Sequence, residues 1–266
     1  MLTTYLLYIA LGAVAGVLAG LLGIGGGLVI VPMLNIAFEV QGFPDVHIQH
    51  VALGTSLATI IFTSISSMMA HHKRGAINWP AFWRLTPGIV IGTYLGACLA
   101  AVMTTLYLKL FFAVFLFYVA TQMLLGFKPA SSRQMPGHAG SFGAGNVIGA
   151  FSALVGIGGG TLTVPFLTWC NQTIHTAIGT AAAVGLPIAL AGTAGFVING
   201  FSIEGIPGPN FGYVYIPAFL GIIAMSVVTA PLGAKLAHSL PVDKLKRIFA
   251  ILLYIVGARM VWSALM

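Results

Sequence analysis

Two short glycine runs are the residues of this sequence best suited to hold a ligand. Gly23-Ile24-Gly25-Gly26-Gly27 recurs as Gly156-Ile157-Gly158-Gly159-Gly160, and each copy sits inside apolar sequence. Consecutive glycines turn several backbone N–H groups toward one point, and a helix that starts there adds its positive dipole end. Such a concavity suits an oxyanion, and the missing Cβ atoms allow a close approach. The expected lining is Gly25, Gly26, Gly27, Gly158, Gly159 and Gly160, with Thr161 adjoining; the alternative is that the glycines simply let two helices cross tightly.

A second pair of motifs supplies hydroxyls. His50-Val51-Ala52-Leu53-Gly54-Thr55-Ser56 matches His175-Thr176-Ala177-Ile178-Gly179-Thr180-Ala181. Thr55, Ser56 and Thr180 have hydroxyls to donate to sulfonate-type oxygens, and Gly54 and Gly179 let them sit close. The bland alternative is that these hydroxyls bond back to their own helix carbonyls. His50 and His175 are candidates for proton-linked groups, since histidine titrates near neutrality; a capping role competes. Arg259 lies well inside the last apolar segment, and its counterpart in the first half is Gln122. An arginine at membrane depth is costly and marks a functional site by default. Its helix has no carboxylate beyond Asp243, so the expected partner is the substrate or backbone carbonyls, with snorkelling as the alternative. Asn199 is a weaker candidate.

The elements that must position these groups are apolar helices. A helix over 3–22 breaks at the first glycines and resumes as a short arm over 28–38. Segments follow over 48–70, 79–103 and 106–127. A polar linker runs from 128 to 141. The second half gives 142–156, the break, 160–170, 174–199, 213–238 and 242–265. Pro32 and Pro165 follow the two breaks at matching places. A break inside hydrocarbon leaves backbone groups without partners, and it survives only where protein or a water-filled cavity covers it.

Composition leaves few other classes open. Of 266 residues 59% are hydrophobic and 6% charged, with mean hydropathy +1.03. Soluble domains carry about a quarter charged residues, so this is an integral membrane chain. Long apolar runs without two-residue alternation mean helices rather than a barrel. Residues 1–22 lack a basic start and have too long an apolar run for a signal peptide. The net charge of +7 reflects orientation and an anionic cargo rather than nucleic acid. Cys98 and Cys170 have no metal-ligand spacing and read as small buried hydrophobes. Trp79 and Trp83 beside Arg84 make an interfacial cluster, and the Gly92–Gly96 step suits close helix packing.

The halves match beyond the glycines. Trp79-Pro80-Ala81-Phe82 aligns with Ile216-Pro217-Ala218-Phe219, and Lys109-Leu110-Phe111-Phe112-Ala113 with Lys246-Arg247-Ile248-Phe249-Ala250. The basic loops of the two halves fall at opposite places, 71–74 in the first and 235–247 in the second. If each break is the tip of a re-entrant hairpin, each half has three crossings. Lys73, Arg74, Arg84, Lys128, Arg133, Lys235, Lys244, Lys246 and Arg247 then share the cytoplasmic side, and Lys109 faces out with Glu39, Asp45 and Glu204. The expected fold is therefore all-α and integral to the membrane. Residues 1–127 and 142–266 form two inverted repeats, joined by the linker 128–141. Each repeat is a glycine-broken re-entrant or discontinuous helix pair followed by three transmembrane helices.

Several of these motifs resemble the TauE/SafE family of membrane permeases, which is linked to export of sulfite and organosulfur anions. The resemblance rests on the paired GxGGG-then-Pro signature, the H-x-x-x-G-T-S run at His50 to Ser56, and the R-G-x-x-x-W run from Arg74 to Trp79. It covers nearly the whole chain. Ala181 departs from the pattern, standing where the first copy has Ser56. The resemblance implies a secondary transporter of the inner membrane, an exporter of sulfite or a C2 sulfonate, working by alternating access around the paired breaks. It implies no cofactor and no enzymatic activity. Its partners are a small anion, the lipid bilayer and, in a compatible assembly, a second copy of the chain.

Two other functions fit the same residues less well. An anion channel would use the glycine backbone as a selectivity element. A metal-ion permease would use His47, His50, His71 and His72, which form no compact set in one helix. There is no HExxH for an intramembrane enzyme and no P-loop for ATP hydrolysis.

Overall fold

The computed structural model describes residues 2–22, 26–125, 133–236 and 242–265. Gly25 among the expected ligands, and the linker stretch 128–132, lie outside the described residues. Helices α1 (Leu2–Leu22) and α2 (Gly27–Val40) flank the first break, and α6 (His138–Val155) and α7 (Gly160–Trp169) the second. Long helices α3 (Ile48–Lys73), α4 (Trp79–Val102) and α5 (Thr105–Leu125) follow the first pair. Their counterparts α8 (Ile174–Gly200), α9 (Ile216–Leu236) and α10 (Val242–Leu265) follow the second. Among the described residues six helices are long and apolar enough to cross a membrane, namely α3, α4, α5, α8, α9 and α10. At 14 and 10 residues, α2 and α7 are too short for a hydrocarbon layer of about 30 Å.

Helix boundaries shift by a few residues from the sequence expectation, and two of the shifts have a local cause. Helix α6 starts at His138 rather than 142: Ser141 N–H already reaches the Gly137 carbonyl at 2.9 Å, and Ser141 Oγ ties the first turn to the preceding chain by donating to the Pro136 carbonyl at 3.0 Å. Ahead of α9 lies a hairpin, β1 (Asn210–Phe211) and β2 (Val214–Tyr215), paired antiparallel with Phe211 opposite Val214. The hydropathy profile runs 213–215 into the helix, but Gly212 at φ +58° turns the chain back instead.

The repeats interlock. Helix α1 packs on α9 as α6 packs on α4; α3 crosses α8; α4 lies on α8 as α9 lies on α3; α5 runs beside α10; and α2 leans on α3 as α7 leans on α8. Exchanging the halves maps this set of contacts onto itself. The α4–α6 interface is close enough for Gly92 and Gly96 to meet the backbone of Asn146 and Ala150, the approach that small residues permit where lipid provides no hydrophobic drive. The centre is the α3–α8 pair, the most buried of the spans, with Leu53 and Leu57 in one core with Val184 and Ile188.

Each broken pair folds back on itself. Gln41, just beyond α2, donates from Nε2 to the Tyr8 hydroxyl in α1 at 2.7 Å. Arg133, leading into α6, stacks over the Trp169 ring at 5.1 Å and donates its backbone N–H to the Trp169 carbonyl at the end of α7.

Candidate functional site

The two breaks touch. Helix α6 ends in a Schellman turn: Gly156 takes the left-handed conformation at φ 65°, its N–H bonds to Ala153 O at 3.2 Å, and Ile157 N–H bonds to Ser152 O at 3.1 Å. Only glycine enters that conformation without strain. Gly26, at φ 77°, precedes α2 in the same way. Gly27 then packs directly on the second break, where a Cβ would strike the Gly156 carbonyl oxygen and the Ile157 Cα. Gly159 packs on α8 against the Ala181 carbonyl and the Gly185 amide. Gly26, Gly27, Gly158, Gly159 and Gly160 are all buried. Neither α2 nor α7 has a side-chain cap at its N-terminus among the described residues, so each brings a buried positive helix end to the breaks, α2 beside the Gly156 carbonyl and α7 beside α8.

Hydroxyls surround this point. Ser56 Oγ donates to the Gly156 carbonyl at 2.8 Å, joining α3 to the opposite break. Thr161, at the start of α7, is buried, and its hydroxyl finds no partner among the described residues. The same holds for Ser152 and Thr163, which sequence reasoning missed although Gly160-Thr161-Leu162-Thr163 shows two threonines on the new helix. Buried hydroxyls without partners are uncommon and call for an explanation.

Thr55 and Thr180 are engaged differently. Thr55 Oγ1 accepts the backbone N–H of Tyr215 at 3.0 Å, and Thr180 Oγ1 accepts that of Asn78 at 2.8 Å. Tyr215 and Asn78 hold equivalent places, each one residue ahead of the fourth helix of the opposite repeat. Their glycines match too: a Cβ on Gly54 would meet the Tyr213 carbonyl, and one on Gly179 the Ala76 carbonyl. Each Gly-Thr pair thus clasps the connection of the other repeat. Asn78 extends its clasp, accepting Ala81 N–H at 3.0 Å as the α4 cap and donating to Gln172 at 3.0 Å.

The two histidines part company. His50 is buried, and its Nε2 lies 3.0 Å from Ala100 O and 3.1 Å from Met103 O, so Nε2–H donates to the end of α4. Its ring stacks on Tyr213, centroids 5.1 Å apart. His175 is exposed. Among the described residues no three of His, Cys, Asp and Glu converge on one point as metal ligands.

Arg259 corrects the sequence reading of its partner, because Glu39 of α2 lies 3.7 Å away. Glu39 also accepts from Lys109 at 3.1 Å and from Ser263 at 2.6 Å. This group sits away from the breaks, at the far end of α2. A carboxylate on another helix cannot be paired from sequence spacing, and the helix that carries Arg259 offers none nearby. Gln122 stands outside the group; its neighbour Thr121 pairs with Tyr254 at 2.6 Å. Asn199 Nδ2 bonds back to Gly195 O at 2.8 Å. Between the Glu39 group and the break lies an unexpected buried amide pair, Asn35 Nδ2 to Gln49 Oε1 at 2.8 Å, with Asn35 Oδ1 and Gln49 Nε2 left over.

Comparison with known proteins agrees with this architecture. A family model described as sulfite exporter TauE/SafE matches residues 8–260. A protein of Haemophilus influenzae, named probable membrane transporter protein, is 40% identical over 98% of this chain and 99% of its own length. Similarly named proteins of Methanocaldococcus jannaschii and Bacillus subtilis are 29% and 25% identical, over 94% and 98% of this chain and 93% and 99% of their own. No solved structure matches. With six apolar helices of spanning length and relatives named as membrane transporters, this is a multi-pass membrane protein, and the chain belongs to the TauE/SafE family of membrane transporters.

Proposed function

We propose that the chain is a secondary transporter that exports a small sulfur-containing anion, such as sulfite or a C2 sulfonate, across a bacterial-type inner membrane. The observation that carries this reading is the contact of the two breaks, where Gly27 at the start of α2 meets Gly156 and Ile157, close to the buried start of α7, whose Thr161 hydroxyl has no partner among the described residues. An oxyanion between them would accept from the first-turn N–H groups and from Thr161 and Thr163. The family description names sulfite.

The mechanism is alternating access between two inverted repeats, each led by a re-entrant hairpin. Support comes from the folding back of α1 with α2 and of α6 with α7, and from the contact between their tips. Lys73, Arg74, Arg84, Arg133 and Arg247 belong on the cytoplasmic side by the positive-inside bias. The two Gly-Thr clasps act as gates: rocking one repeat breaks the Thr55–Tyr215 bond on one face or the Thr180–Asn78 bond on the other. An inside-negative potential drives an anion outward, by about 2.3 kcal/mol per charge per 100 mV.

Proteoliposomes loaded with radiolabelled sulfite or 2-hydroxyethanesulfonate test this. Counterflow that is lost in Gly159→Val, with the variant still folded, supports the carrier. Large currents without counterflow would favour a channel. Absence of flux for both anions from folded protein overturns the reading.

A further inference from the structure

We propose that the anion is held by the second break alone, through uncharged donors only, and that the site therefore takes singly charged oxyanions and excludes doubly charged ones. This rests on the transporter reading above and narrows its cargo by charge.

The two breaks are alike in sequence pattern and unlike in chemistry. Three buried hydroxyls without partners among the described residues stand within one turn of the second break: Ser152 before it, Thr161 and Thr163 after it. In the register that pairs Gly160 with Gly27, their counterparts are Ala19, Leu28 and Ile30, and Leu28 and Ile30 belong to the apolar core. The backbone differs in the same sense. At the start of α2 the Val29 N–H already bonds back to Gly26 O at 3.0 Å. Gly27 lies against the Gly156 carbonyl, so an oxygen of the chain itself meets that positive helix end. At the start of α7 the first N–H to bond back is that of Thr163, to Gly159 O at 2.9 Å. The N–H groups of Gly160, Thr161 and Leu162 have no acceptor among the described residues. The first break is closed by hydrocarbon and a carbonyl; the second offers donors that nothing accepts from, a state that buried polar groups rarely keep.

None of these donors is charged, and no charge stands near them. From Gln134 to Ile203 the sequence has no Asp, Glu, Lys or Arg, and that stretch holds all of α6, α7 and α8. Its two histidines, His138 and His175, are exposed. In α3, His50 is turned to the end of α4, and His71, His72 and Lys73 fall in the last turn. Glu39, which holds Lys109 and Arg259, lies about 18 Å along α2 from Gly27. Arg133 stacks on Trp169, about 14 Å along α7 from Gly160. A bound anion therefore meets dipoles alone. Attraction to fixed dipoles grows in proportion to the anion's charge, whereas the cost of leaving water grows with its square. A dianion thus loses about four times the hydration of a monoanion of the same size for about twice the attraction. Of the two forms of sulfite present near neutral pH, hydrogensulfite is the one that fits.

Methanesulfonate and sulfate test this, being tetrahedral, similar in size and different by one charge. The full chain in detergent is dialysed to equilibrium against radiolabelled methanesulfonate at constant ionic strength balanced with gluconate, and unlabelled sulfate competes. The expected result is one methanesulfonate per chain, with sulfate weaker by at least about tenfold. Thr161→Val lowers the methanesulfonate affinity by about tenfold, Thr161→Ser restores most of it, and Leu28→Val, at the matching place in the first break, leaves it unchanged. Sulfate as tight as methanesulfonate overturns the selection by charge. Two anions per chain, or equal losses in Thr161→Val and Leu28→Val, overturn the one-sided site. The competition needs no variant, so it decides the charge selection even where Thr161→Val fails to fold. Counterflow is scored separately. Selective binding without counterflow leaves the site standing and removes the transporter reading. Counterflow that sulfate inhibits as strongly as methanesulfonate does removes the charge selection and leaves the transporter. If folded protein binds neither anion, the site falls, and counterflow alone decides the transporter reading.

Discussion

Gly27 and Gly156, one from each half of the chain, lie in backbone contact at the point where both broken helices turn. A side chain on either would push the halves apart. Gly27→Ala places a methyl group on the Gly156 carbonyl, and overpacking of this kind costs about 1–3 kcal/mol. The expected outcome is a lower melting temperature in detergent and loss of sulfite-dependent stabilisation. Gly143→Ala is the matched control: it sits in α6 with open space around it, and it should be neutral or stabilising by up to about 1 kcal/mol.

The clasps should behave as a symmetric pair. Thr55→Val and Thr180→Val each leave a backbone N–H without its acceptor, at a cost of about 1 kcal/mol; Thr→Ser at either place should restore most of it. The effects separate by face. Thr55→Val should raise the labelling of a cysteine near Tyr213, and Thr180→Val that of one near Ala76. Equal changes at both faces from either variant would contradict the assignment of the clasps as opposite gates.

The Glu39 group predicts an order of stabilities. Removing Glu39 strands the buried Lys109, and an uncompensated buried charge costs about 3–5 kcal/mol. Removing Arg259, whose side chain is 49% exposed, should cost no more than about 1 kcal/mol. Thermal unfolding of Glu39→Ala and Arg259→Ala decides it, and a reversed order would mean that Lys109 draws its compensation elsewhere.

Burial pushes the phenols of Tyr213 and Tyr215 above their usual range. The neutral form is favoured in the folded chain, so this stabilisation is complete below the ordinary tyrosine value of about 10. It is lost as pH rises past that value, because the unfolded chain ionises first. The melting temperature should fall above about pH 10, and less steeply in the Tyr213→Phe, Tyr215→Phe double variant.

Much of this protein is written locally. The apolar runs predict every spanning helix, because a bilayer demands about 20 apolar residues of any helix that crosses it. The breaks at Gly26 and Gly156 are legible because a glycine run cannot continue a helix, and the matched Pro32, Pro165 and His-to-Thr motifs reveal the duplication. Partners are another matter. In lipid all the helices are similarly apolar, so association depends on small residues and a few hydrogen bonds whose mates lie far along the chain. Nothing near Arg259 points to Glu39, nothing near Thr55 to the Tyr215 amide, and nothing near Asn35 to Gln49. The turn at Gly212 was hidden by the apolar residues beyond it. The sequence by itself determined the helices, their breaks and the repeat. The tertiary structure alone decided that the two breaks meet, that the threonines of one half hold the backbone of the other, and that the arginine finds a carboxylate at the far end of the arm.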